Sequence, residues 1–115
     1  MKKIVTALAL LFIFILAACS KKSSPGKTEK IKITTYTADV FPLIQMKCTP
    51  CHLPSKGGNK RSYETYASAK LFGADMAARI QRNPGERGFM PFKNAKLSDT
   101  EIAVFKKWLS DGLPE

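Results

Sequence analysis

The sequence predicts an all-α protein with three to four short helices, and helical spacing of apolar residues in two places is the main reason. Near the middle of the chain an apolar residue recurs at offsets 0, 4, 8 and 11 from Val40, which is one face of a helix. Near the end, Ile102, Phe105 and Leu109 recur at similar spacing. No strand-rich framework of alternating residues competes with these two patterns.

Length and charge limit the class of protein. The chain has 115 residues, enough for one domain, with 19 basic and 9 acidic residues and a formal charge of +10. A basic balance is common among nucleic-acid-binding proteins. The export signal described next argues against a nucleic-acid partner. Part of the positive charge lies between residues 21 and 32, where lysines would be attracted to anionic lipid head groups.

The first residues predict an export signal. Two lysines are followed at residues 4–16 by an apolar run with a single threonine. As a helix this run would span about 20 Å, which is short of the roughly 30 Å hydrocarbon core of a bilayer. We therefore predict a signal peptide that is removed, rather than a membrane span.

Residues 16–19, Leu-Ala-Ala-Cys, resemble the lipobox of bacterial lipoproteins. The resemblance implies cleavage before Cys19 and acylation of its sulfur, whereas an ordinary secretory cleavage site is the alternative. Two or more acyl chains give stable anchoring. Cleavage there leaves 17 basic and 9 acidic residues. We predict a signal peptide at 1–18, a lipidated cysteine with a flexible tether at 19–35, and a folded domain at 36–115.

Capping residues predict the helix boundaries. The first helix is expected to begin near Asp39, with Pro42 in its first turn and Met46 packed against the domain. Residues 53–61 are rich in glycine, proline and basic residues and predict a loop. Ser62 is expected to cap a helix that reaches residue 72 and is closed by Gly73, and a separate helical piece is expected at 74–82.

The last helix has the clearest start signal. Ser98 and Glu101 have the spacing of a capping box, and Leu97 and Ile102 have that of a hydrophobic staple. Trp108 is expected in the core against the first helix.

The pentapeptide Cys-Thr-Pro-Cys-His at residues 48–52 has the pattern that attaches haem c covalently to exported proteins. In that pattern Cys48 and Cys51 form thioethers with the haem, and His52 becomes an axial ligand of the iron. Cysteines three residues apart on a helix lie on one face, about 5–6 Å apart, so both can reach one porphyrin edge. With Cys19 taken by lipid, no cysteine is left over.

Two other interpretations of the motif compete with haem attachment. A Cys-x-x-Cys pair can be a thioredoxin-like redox couple, but that motif belongs beside a βαβ pattern. The pair could also supply half of a zinc site, which would need a fourth ligand. His52 is the only histidine in the chain.

A second informative segment lies at residues 85–96, where Met90 stands between two aromatic residues and precedes a proline. A thioether is a soft, neutral ligand for haem iron and raises its reduction potential relative to a second imidazole. We predict that Met90 is the second axial ligand. The alternatives are that Met90 fills a gap in the core, that Met76 is the ligand, and that the iron is open or lysine-ligated.

Residues 36–115 resemble a small monohaem cytochrome c of the His/Met type. The resemblance is carried by the motif at 48–52, by Phe-Met-Pro at 89–91 and by Lys-Trp-Leu-Ser-Asp-Gly at 107–112. It implies a cytochrome c-type fold around one covalently attached haem, with the amino- and carboxyl-terminal helices crossing. Leu53 departs from the small residue that is common after the histidine, which leaves the hydrogen-bond partner of His52 open.

The resemblance implies an electron-transfer protein rather than an enzyme, cycling Fe(II) and Fe(III) and anchored through Cys19 to a bacterial membrane. The expected location is the periplasmic side or the outer face of the cell membrane. Expected partners are redox proteins, including ones with acidic docking surfaces, and no small-molecule substrate or nucleic acid is expected. Alternatives are a ligand-binding haem sensor, a peroxidase-like protein and a haem subunit of a respiratory complex.

Overall fold

The computed structural model describes residues 31–115, whose regular secondary structure is all helical, so the all-α prediction is confirmed for this part of the chain. The signal peptide, Cys19 and residues 19–30 of the tether lie outside the described residues. Between residues 31 and 115 no helix is long and apolar enough to cross a membrane. The elements, in order, are a π-helical turn at Tyr36–Val40, helix α1 at Phe41–Lys47, a 3₁₀ turn at Pro54–Lys56, helix α2 at Tyr66–Ile80 and helix α3 at Asp99–Ser110.

The first helical segment begins earlier than predicted, at Tyr36 rather than near Asp39. Thr35 is the capping residue, and its hydroxyl accepts the N–H of Ala38 at 3.2 Å. Asp39 reaches back to accept the N–H of Thr35 at 3.0 Å. Each of these two side chains therefore accepts a backbone N–H at the start of the segment, an arrangement similar to a capping box. The placement of Pro42 in the first turn of α1 is confirmed.

Helix α2 is continuous, so the prediction of two pieces separated at Gly73 is wrong. It starts after Thr65, whose hydroxyl accepts the N–H of Ser68 at 3.3 Å, and not after Ser62. Gly73 is buried within the helix, where an added Cβ would lie 2.9 Å from Leu113 and 3.1 Å from the ring of Trp108. The glycine is therefore a point of close approach between α2 and the end of the chain.

Helix α3 has the predicted capping box. Ser98 accepts the N–H of Glu101 at 3.3 Å, and the Glu101 carboxylate accepts the N–H of Ser98 at 2.8 Å. The buried face of the helix consists of Ile102, Phe105 and Trp108. Burying a side chain of this kind is worth about 1.5–3 kcal/mol, so this face holds the helix against the core.

The carboxyl-terminal tail is hydrogen-bonded to the start of the helical domain. The carbonyl oxygen of Pro114 accepts two hydrogen bonds, from the N–H of Tyr36 at 2.9 Å and from the indole N–H of Trp108 at 2.7 Å. The rings of Tyr36 and Trp108 lie 6.1 Å apart. Thr34 is also buried, and its N–H donates to Asp111 at 2.7 Å. The tail is therefore fixed to the start of the helical domain, and Trp108 packs against the first helical segment as predicted.

The prediction that Met46 packs against the domain is wrong. Its side chain is 65% exposed, because it lies on the face of α1 opposite the buried Ile44. Ile31 and Ile33 are also exposed, and the chain from residue 31 to 35 has no regular secondary structure.

Candidate functional site

The two cysteines of the 48–52 motif lie in the turn that follows α1, not within the helix as predicted. Helix α1 ends at Lys47, and Cys48 is its carboxyl-terminal capping residue. The N–H of Cys48 donates to the carbonyl of Ile44 at 2.9 Å, and the N–H of His52 donates to the carbonyl of Cys48 at 3.0 Å. These bonds continue the helical i to i−4 pattern beyond the helix and fix the backbone on both sides of the motif.

The ring of His52 is held by two neighbours. Its Nδ1 lies 2.7 Å from the carbonyl oxygen of Arg61, so Nδ1 carries the proton and donates this bond in the neutral ring. The ring also stacks on Tyr63, with centroids 4.5 Å apart and planes 13° apart. With Nδ1 engaged, Nε2 is the nitrogen left for a metal, and its orientation is set by the loop. The open question about the hydrogen-bond partner of His52 is therefore answered by Arg61.

The loop between the motif and Tyr63 folds back tightly on the motif. The N–H of Lys60 donates to the carbonyl of Cys51, and the N–H of Tyr63 donates to the carbonyl of His52, both at 3.0 Å. Gly58 sits where an added Cβ would lie 2.6 Å from the carbonyl oxygen of Cys51. Only a residue without a side chain allows this approach. Leu53, the residue that departs from the resemblance, is 1% exposed and belongs to the core.

The motif lines a cleft of about 220 Å³, and the predicted iron ligand Met90 lines the same cleft. Helix α2 contributes its last turns to the lining, and the irregular segment after α2 contributes Met90 with its neighbours. The wall is predominantly apolar. The side chains that matter here are Cys48, Cys51, His52, Tyr63, Met76, Arg79, Ile80 and Met90.

Met90 and Met76 both line the cleft, in different surroundings. Met90 is half-buried in a segment made of turns, and its N–H donates to the carbonyl of Arg79 at 3.3 Å. Met76 is 3% exposed on α2 and belongs to the core cluster. The predicted interior positions of Met76 and Ile80 are confirmed. Both thioethers are therefore near the motif, and only Met90 comes from a segment free of helical geometry.

Burial raises the pKa of the Cys48 thiol to about 11. At pH 7 only about one Cys48 in 10⁴ would be a thiolate, the form that attacks disulfides. Redox-active Cys-x-x-Cys pairs instead lower the pKa of the attacking thiol. In the described residues there is also no strand to form a βαβ unit. Both observations weigh against the thioredoxin-like interpretation.

The donor set of the cleft fits a covalently attached haem. Two thiols in one turn can form the thioethers, an imidazole with Nδ1 engaged offers Nε2, and a neutral thioether is available from Met90. The apolar wall suits a porphyrin face. The fit rests on the chemistry and placement of these side chains.

Sequence reasoning missed three parts of the site. The carbonyl of Arg61 carries no sequence signal, because every residue has one. Tyr63 could have been found as the first aromatic residue after the loop, and Gly58 as one of two adjacent glycines within it.

Comparison with known proteins gives no relative. No protein-family model matches the chain, and no match is found among curated proteins or among solved structures. The resemblance to small cytochromes c therefore rests on the sequence motifs.

Proposed function

We propose that this chain is an electron-transfer protein with one haem c attached through Cys48 and Cys51, whose iron is bound by His52 and Met90. The observation that supports it best is the convergence of these four side chains on one apolar cleft, from two segments about 40 residues apart. The bound group would supply one-electron Fe(II)/Fe(III) chemistry. With two protein ligands on the iron no position is left for a substrate, so the proposal does not include an enzyme activity.

The chain's own residues would set the properties of the site. Arg61 and Tyr63 fix the orientation of His52 and the nitrogen it presents. Met76 and Ile80 form part of the apolar wall that would keep water from the macrocycle. The resulting low local dielectric would favour the reduced haem, which carries less charge than the oxidised form. Cys48 is half-buried and Cys51 is exposed, so one edge of an attached group would face solvent and allow electron transfer.

We propose a cytochrome c-type arrangement for the helices around this cleft. The contact between Trp108 of α3 and Tyr36 of the π-helical turn supports the crossing of the first and last helical segments. Gly73, which lets α2 approach the same tryptophan, supports a core shared by all three segments.

We propose further that Cys19 is lipidated and anchors the exported domain to a bacterial membrane. The support is the Leu-Ala-Ala-Cys sequence at residues 16–19 and the apolar run before it. A Cys19→Ala variant should lose the acyl mass from its amino terminus and leave the membrane fraction. Unchanged membrane association of that variant would contradict the proposal.

Basic side chains at the cleft support an acidic redox partner. Lys47, Lys60 and Arg79 line it. Lys47 is paired with Glu101 at 3.0 Å and Arg79 with Asp75 at 2.9 Å, so the positive field is partly neutralised. Electron transfer steered by these charges should slow as ionic strength rises. At about 0.1–0.15 M salt, exposed charges more than about 8–10 Å apart are largely screened from each other.

The decisive experiment uses the mature protein produced in a host that attaches haem. Mass spectrometry should show one haem added through residues 48 and 51. The oxidised spectrum should contain a sulfur-to-iron band, and the reduced protein should bind carbon monoxide slowly or not at all. Unmodified cysteines in that material would overturn the proposal.

Variants of the two methionines identify the ligand. Met90→Ala should abolish the sulfur-to-iron band and allow rapid binding of carbon monoxide. Met76→Leu is the matched control, because it removes the other thioether of the cleft and keeps a similar apolar volume. Loss of the band in Met76→Leu alone would assign the ligand to Met76.

A ligand-binding haem sensor or a peroxidase-like protein is the second candidate. The observation that favours it is the position of Met90 in an irregular, half-exposed segment, held by a single 3.3 Å main-chain bond at its own N–H. Rapid carbon monoxide binding by the wild-type reduced protein would support this candidate over electron transfer.

A further inference from the structure

One carboxylate beside the cleft joins two segments that are distant in sequence. A single oxygen of Asp75, Oδ2, accepts from Nη1 of Arg61 at 3.0 Å and from Nε of Arg79 at 2.9 Å. Arg61 ends the loop that follows the Cys-x-x-Cys-His motif, whereas Asp75 and Arg79 lie one turn apart on α2. The guanidinium of Arg61 also lies 4.0 Å above the ring of Phe72, which further limits its motion.

The same two arginines supply main-chain acceptors to both predicted iron ligands. The carbonyl of Arg61 accepts the bond from Nδ1 of His52 at 2.7 Å. The carbonyl of Arg79 accepts the N–H of Met90 at 3.3 Å. Asp75 therefore binds the side chains of the residues whose backbones hold the two sides of the cleft.

We propose that Asp75 is a positioning residue that couples the His52 side of the cleft to the Met90 side. This inference rests on the proposed function. Asp75 touches neither the cleft nor a ligand, and acts by holding Arg61 and Arg79 in place. The hydrogen bond from the Met90 N–H to Arg79, at 3.3 Å, is longer than the one from His52 Nδ1 to Arg61, at 2.7 Å. The position of Met90 therefore changes more than that of His52 when the network is broken.

The size of the effect follows from exposure. The side chains of Arg61 and Asp75 are 46% and 39% exposed, so each ion pair is partly screened by solvent. Breaking both pairs should raise the equilibrium constant for dissociation of Met90 from iron by about three- to tenfold, the range expected for two half-exposed ion pairs. The fold itself should survive, since no buried group loses a partner.

The test uses Asp75→Asn in the haem-loaded mature protein. We expect a weaker sulfur-to-iron band and carbon monoxide binding to the reduced protein that is about three- to tenfold faster than in the wild type. Hydrogen exchange at the Met90 amide should accelerate, while exchange at the Tyr63 amide, which bonds to His52, should change less. A merely structural role would accelerate both amides together.

Two further variants control the result. Asp99→Asn makes the same change in net charge at an exposed position on α3, away from the network, and should leave the band and the Met90 amide unchanged. Asp75→Glu keeps the carboxylate and should restore most of the wild-type behaviour.

The outcomes separate the two ideas. A wild-type protein without attached haem would overturn the proposed function. A wild type with haem and a sulfur-to-iron band, together with an Asp75→Asn variant identical to it in band, carbon monoxide rate and Met90 exchange, would overturn the role of Asp75 alone.

Discussion

The two sides of the cleft are built in different ways. On the side of His52, the motif and its loop are joined by main-chain bonds at about 3.0 Å, and the histidine ring is fixed by the Arg61 carbonyl and by Tyr63. On the other side, Met90 belongs to a segment of turns and is half-buried. The comparison teaches that the imidazole is prepositioned by bonds to its own ring, whereas Met90 is positioned through one longer main-chain bond at its N–H and through its buried neighbours Phe89 and Pro91.

Preventing attachment of the proposed haem should have the largest effect, because it is the group that both sides would share. A porphyrin burying several hundred Å² of apolar surface would contribute on the order of 10 kcal/mol, comparable to the whole stability of a small domain. We expect a Cys48→Ser, Cys51→Ser variant without haem to be unfolded or molten by circular dichroism. Cooperative unfolding of that variant would show that the described residues hold the cleft without the group.

Gly58→Ala tests how closely the loop must approach the motif. The new Cβ would meet the backbone of Cys51 at 2.6 Å, and neither backbone can move without breaking the 3.0 Å bonds around it. We expect a loss of about 2–3 kcal/mol in unfolding free energy, measured by denaturant titration of the haem-loaded protein. Asn59→Ala, at the exposed neighbouring position, should change stability by less than about 0.5 kcal/mol. Equal effects of the two variants would mean that the loop is not tightly fixed.

Tyr63→Leu should have a smaller effect that is centred on His52. It removes the ring that stacks on the imidazole at 4.5 Å while keeping an apolar side chain. Aromatic pairs are worth about 0.5–1.5 kcal/mol beyond burial, so we expect a loss of that size in unfolding free energy. Tyr63→Phe keeps the stack and should stay near the wild type. If Tyr63→Phe loses as much unfolding free energy as Tyr63→Leu, the hydroxyl rather than the ring stabilises the His52 side of the cleft.

The smallest effect is a pH dependence that has the same cause on the two sides, hydrogen bonds to an exposed carboxylate, but a different donor residue on each. The hydroxyl and N–H of Ser55 hold the pKa of Glu64 below its ordinary value of 4.5, and the N–H and side chain of Asn83 do the same for Glu86. A lowered pKa means that each carboxylate stabilises the fold above about pH 4.5 and loses this contribution as pH falls through its folded-state pKa.

Glutamine variants measure these contributions separately. Glu64→Gln and Glu86→Gln should each be slightly less stable than the wild type near neutral pH, and the difference should shrink as pH falls from about 6 to about 3. Denaturant midpoints at several pH values check this. A difference that grows in acid would contradict the sign of the shift.

The sequence was sufficient where a structure depends on neighbouring residues. The capping box of Ser98 and Glu101 is complete within four residues, so its prediction needed no tertiary information. The helical spacing of Ile102 and Phe105 likewise identified a buried face correctly. The placement of His52 and Met90 at one cleft followed from the motifs, although their binding of iron stays a prediction.

The sequence was insufficient where a contact with a residue distant in sequence determines the local structure. Gly73 looked like a helix end because glycine favours such positions, yet Trp108 and Leu113, more than 30 residues away, require a residue without a side chain inside the helix. Asp39 looked like a cap because aspartate is common at the start of helices. Thr35, four residues earlier, is an equally good capping residue, and it is the one that caps the segment while Asp39 accepts its N–H. The acceptor for His52 is a main-chain atom of Arg61, which no pattern of side chains could reveal.

The bond from Tyr36 to Pro114 has a consequence for the order of assembly. A polypeptide that emerges amino end first presents Tyr36 well before its acceptor at residue 114. The first helical segment therefore lacks this hydrogen bond until residue 114 has been delivered. The thiols at 48 and 51 emerge during that interval, and because Cys51 is still exposed and Cys48 half-buried in the folded domain, covalent modification is open both before and after the bond forms.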